Sequence, residues 1–113
     1  MDLASATSVL ASLDRGDKLR MLTDLAYNLT IVARDAYNES GVADPGRLRS
    51  LNEIQHRVLG KLRSLATDSD AGLPDDALAT MFFTRRDDVA LSSLLAYAFE
   101  RAVPTVCRAN PTQ

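Results

Sequence analysis

The sequence predicts an all-α fold, a small antiparallel four-helix bundle with an additional short N-terminal helix. Three observations carry that expectation. Leu contributes 17 residues and Ala 16, against 9 for Ile and Val together, so helix formers dominate the apolar fraction. Apolar residues recur at i, i+3, i+4 and i+7 through most of the chain. Short connections separate these periodic stretches, which favours antiparallel neighbours.

Residues 3–13 form the first helix, with Leu3, Ala6, Leu10 and Leu13 on one side and an end near Gly16. Helix A is expected over 17–38, capped by Asp14 or Asp17, and its core stripe is Leu22, Leu25, Ala26, Leu29, Val32, Ala33 and Ala36. Asp44-Pro45 starts helix B, because the aspartate accepts from free first-turn amides and the proline has no amide to leave unpaired. Helix B runs over 45–66 and is expected to bury Leu48, Leu51, Ile54, Val58, Leu59, Leu62 and Leu65. An acidic loop follows, with Asp68, Asp70, Asp75 and Asp76 around Gly72 and Pro74.

From Asp75 to Val103 there is no Gly or Pro, yet one straight helix cannot bury the whole stretch. At about 100° per residue, Leu78, Met81 and Phe82 point roughly 130° away from Leu91, Leu94, Leu95, Ala98 and Ala102. The sequence therefore predicts helices over 75–84 and 88–103, the second capped by Thr84, Asp87 or Asp88 and stopped before Pro104. Residues 1–103 make one domain and 104–113 a disordered tail.

With 113 residues, 46% hydrophobic and 25% charged, the chain has no room for a large nucleotide-driven machine. Thirteen Lys plus Arg against fifteen Asp plus Glu leave a net charge of -2, so no nucleic-acid partner is expected. The lone cysteine, Cys107, excludes an intrachain disulfide framework and a cysteine-based zinc cluster. No secretory leader and no long apolar run is evident, so no membrane partner is expected and a cytoplasmic location follows by default. No cofactor is implied by any phosphate loop or ligand set.

Two surfaces carry surplus apolar residues. Tyr27 and Ile31 lie outside the core stripe of helix A, while Val89, Ala96 and Val103 cover the far side of the last helix, and Phe83 is a further contact candidate. Two such strips on a small domain predict a homodimer. The leading expectation is thus a non-enzymatic helical bundle that acts through protein contacts.

His56 is the only histidine, so almost every site-based function passes through it. Glu53 and His56 form an E-x-x-H pair, half of a di-iron carboxylate site, but they fall outside the apolar arc and no metal site is expected. Arg49, Asn52, Glu53, His56, Gly60 and Arg63 share one polar flank of helix B, and a glycine one turn past the histidine lets another backbone approach.

The run Glu53-Ile54-Gln55-His56-Arg57-Val58, with Leu62 six residues after the histidine, resembles the phosphoacceptor helix of sensor histidine kinases. With Gly60 four residues after His56, it also resembles histidine-phosphotransfer domains. That resemblance, over residues 53–62, implies that His56 carries a phosphoryl group from a receiver aspartate, that Arg57, Lys61 and Arg63 help hold it, and that Gly60 admits the partner. A third reading takes Arg49 and His56, whose spacing is similar to that of HEPN ribonucleases. There the histidine would act in RNA transesterification while the arginine steadies phosphate.

Overall fold

Three aspartates start three of the helices, each by accepting a backbone amide three residues on. Asp2 accepts from Ser5 at 2.8 Å and opens α1 (Leu3–Ser12). Asp14 accepts from Asp17 at 2.8 Å and opens α2 (Arg15–Ser40). Asp88 accepts from Leu91 at 3.1 Å and opens α5 (Val89–Cys107). Between them lie α3 (Pro45–Ala66), with proline at its first position, and α4 (Asp75–Phe83), whose first turn holds Asp75 and Asp76 against the positive end of the helix. The computed structural model describes residues 1–40, 45–67, 73–84 and 86–107, with the side chains of 36–40 and 104–107 left aside. The expected Asp44 cap falls outside those residues.

The fold is all-α, five helices with no strand among the described residues. α2 sits at its centre, packed against α5 on one side and α3 on another, while α4 joins α1 to α5. The guanidinium of Arg15, at the start of α2, donates to the carbonyls of Leu65 and Ala66 at the end of α3, and Gln55 in mid α3 donates to Ala26 in mid α2. These contacts make α2 and α3 antiparallel. At the other end Arg47 of α3 grips Asp88 through two nitrogens, at 3.1 and 3.2 Å, and ties the start of α3 to the start of α5.

The core is a single cluster. Leu22, Leu25, Leu29 and Val32 of α2 meet Leu91, Leu95 and Ala98 of α5, with Ala6, Leu10, Leu78 and Phe82 supplied by α1 and α4. Phe99 is fully buried, its ring tilted 52° against Phe82 at 5.6 Å and edge-on against Phe83 at 5.2 Å. It continues the Leu91 and Leu95 stripe by one turn, although the sequence expectation left it out of the core. Met21 is a second buried residue not foreseen.

Several boundaries and burials differ from expectation. Gly16 does not end α1: Leu13 turns extended, and Gly16 lies in the first turn of α2. α5 does not stop before Pro104 but runs to Cys107, although the proline has no amide to give the ladder: it lies in the last turn, so little helix beyond it is affected. Residues 108–113 of the expected tail lie outside the described residues. In α3 the buried stripe is narrower than foreseen. Leu51, Ile54 and Val58 are buried and Lys61 continues the same line, whereas Leu59 is 42% exposed and Leu48, Leu62 and Leu65 are half-buried. The cause is packing: α3 lies chiefly against one helix, α2, so only a narrow seam is covered. Leu94 and Ala33 are half-buried at the core margin, and Leu3 is exposed.

Candidate functional site: the outer face of α3 and the groove between α4 and α5

The outer face of α3 follows from that narrow seam. Arg49, Asn52, Glu53, His56, Arg57, Gly60 and Arg63 are all exposed. An ideal Cβ built on Gly60 meets nothing within 4 Å, so this glycine is not there for packing within the chain. His56 is open to solvent and carries exposed charge of both signs beside it, from Glu53 and Arg57. Arg49 stands seven residues, or about two turns, before His56 on the same helix. Among the described residues no three His, Cys, Asp or Glu side chains gather into a metal-binding group.

Lys61 departs from its expected place beside the histidine. It is only 6% exposed, and its ammonium donates to the carbonyl of Leu73 and pairs with Asp75 at 3.2 Å. Lys18 of α2 reaches the same carboxylate at 2.7 Å. Partial burial pushes the Asp75 carboxyl up, but the hydrogen bonds and charges of the two lysines outweigh it and hold the group below its ordinary value. This cluster locks the start of α4 onto α2 and α3. It also withdraws Lys61 from any phosphate at His56, leaving as exposed cations Arg57, next in the chain, and Arg63, about two turns further on. Asp88 is likewise held low, by its bond to Arg47 first and by the capped amide of Leu91 second.

A second feature lies where α4 hands over to α5. Phe82, Phe83, Val89 and Ala96 form the apolar part of a groove of about 470 Å³, and Thr84, Arg86, Ser92 and Ser93 supply its polar part. Three of the contact candidates, Phe83, Val89 and Ala96, therefore share one depression. Val89 is 73% exposed, whereas Phe83 and Ala96 are half-buried. The Arg86 guanidinium donates one Nη to the carbonyl of Met81 at 2.6 Å. Its Nε and the Ser92 hydroxyl are closed to solvent and have no hydrogen-bond partner among the described residues. Such orphaned groups cost about 1–3 kcal/mol each. Neither residue stood out in the sequence, since burial of Arg86 depends on how the break between two helices folds back.

The remaining contact candidates are spread. Tyr27 is 65% exposed on α2, Ile31 one turn on is half-buried, and Val103 near the end of α5 is half-buried. Tyr97 on α5 is exposed under the Arg101 guanidinium, 5.6 Å from its ring centre. No helix among the described residues is long and apolar enough to cross a membrane. Compared with known protein families, characterised proteins and solved structures, the chain gave no match.

Proposed function

We propose that this chain is a small non-enzymatic helical protein that works through protein contacts, with α2 to α5 arranged as an antiparallel four-helix bundle, α1 as an extra element, and a second copy of the chain as the first partner. The reading rests on one observation: Tyr27 and Val89 are the two most exposed large apolar residues described, at 65% and 73%, and each falls on a strip that periodicity marks as surplus to the core. An interface that covers both would remove that apolar surface from water at about 25 cal/mol per Å². Light scattering tests it. A mass twice that of the chain is expected, and a single-chain mass at high concentration overturns the pairing.

A second reading is favoured by a separate observation, the exposure of His56 together with the empty space around Gly60. In this reading the chain is a phosphotransfer module: the imidazole takes a phosphoryl group from an aspartyl phosphate on a receiver domain that docks over Gly60, and Arg57 and Arg63 steady the phosphate oxygens. Mixing with a phosphorylated receiver domain should then leave acid-labile phosphate on the wild type and none on His56→Gln. Equal labelling of the two, or labelling of neither, rejects it.

A further inference from the structure

The groove between α4 and α5 carries more chemistry than a contact surface requires. At about 470 Å³ it falls in the size range of small-molecule sites. Its walls are largely aromatic and aliphatic, and Arg86 is the one cation among its described lining residues. A guanidinium nitrogen without an acceptor, in the same groove as a hydroxyl in the same condition, asks for a group that satisfies both.

We infer that this groove binds a small monocarboxylic acid with an apolar body. The carboxylate takes the Arg86 Nε–H and the Ser92 hydroxyl, and the apolar body lies between Phe83 and Val89. Charge counting selects a monoanion. Among the described lining residues there is one guanidinium, and one of its Nη atoms is spent on the Met81 carbonyl. A dianionic phosphate would exceed the one cation described in the lining, whereas a carboxylate is matched one to one. A neutral alcohol would fill the apolar part but give the guanidinium only a weak acceptor. Both orphan atoms are closed to solvent in the free chain, so the acid enters with a rotation of the half-buried Arg86 or Phe83 side chain.

Titration of the full chain with octanoate and with 1-octanol, followed by calorimetry, tests this. Octanoate should bind saturably and about tenfold more tightly than the alcohol, and Arg86→Gln and Ser92→Ala should each reduce that difference. Ser93→Phe, which fills the mouth of the groove, should weaken both ligands. Equal affinity for acid and alcohol overturns the assignment, as does absence of binding or indifference to Ser93→Phe. Circular dichroism checks that each variant is folded, and if Arg86→Gln is not, the two serine variants still decide. Light scattering on the same samples keeps self-association separate: a monomer that binds octanoate sinks the pairing and leaves this site standing.

Discussion

The ammonium of Lys61 lies 3.2 Å from the carboxylate of Asp75, although one residue belongs to the inner seam of α3 and the other opens α4. Because Lys18 reaches the same carboxylate, a single aspartate fastens three helices. Asp75→Asn keeps the shape and deletes the charge, leaving the buried Lys61 ammonium with neutral acceptors alone, the new amide oxygen and the Leu73 carbonyl. The variant is expected to lose about 2 kcal/mol of stability, read as a lower urea midpoint.

The same contact predicts a pH dependence. The folded carboxyl of Asp75 ionises below its ordinary value of 3.8, so its contribution is complete above that value and is lost as pH falls through the lower, folded one. Asp88 acts in the same direction. The stability difference between wild type and Asp75→Asn should therefore be constant near neutrality and shrink below about pH 4. A difference that persists unchanged into strong acid would show that the ion pairs are not its source.

Gly60→Ala should stabilise the free chain by roughly 0.5–1 kcal/mol, since an added Cβ meets nothing within 4 Å in a helix interior. The sign matters for function. If the variant is more stable and yet fails to accept phosphate at His56, the glycine serves a partner's approach; thermal unfolding beside a labelling assay reads both.

Phe99→Ala should cost roughly 3–5 kcal/mol, because the ring is fully buried between Phe82 and Phe83. Arg15→Ala should cost only about 1 kcal/mol, through the loss of its bonds to the last carbonyls of α3. Chemical denaturation of the two variants side by side checks the ordering.

How much of this was readable follows from how local each feature is. Asp14 and Asp88 were both among the candidate caps, and capping is decided within three residues. Phe99 was also readable in principle, four residues past Leu95, but the larger Leu94 and Leu95 pair drew the centre of the helix face away from it. Lys61 was not readable. Its burial depends on how narrowly α2 grips α3 and on an aspartate across a loop, and neither is written in the periodicity of α3. The exposure of Leu59 has the same cause. Arg86 lies in a break without periodicity, so nothing local marks its guanidinium as enclosed. At the candidate site, the exposure of His56 follows from its phase on the helix, whereas the loss of Lys61 from its surroundings required the packed fold.

The proposal that this domain works by pairing through its exposed apolar strips is tested most directly by sedimentation equilibrium over a concentration series, on the wild type and on Tyr27→Asp combined with Val89→Asp. Both side chains are largely in solvent, so the variant should keep its helicity and unfolding midpoint as a single chain. The account predicts a concentration-dependent dimer for the wild type and a monomer throughout for the variant. A wild type that remains monomeric at the highest concentration, or a variant that pairs as well as the wild type, would contradict it.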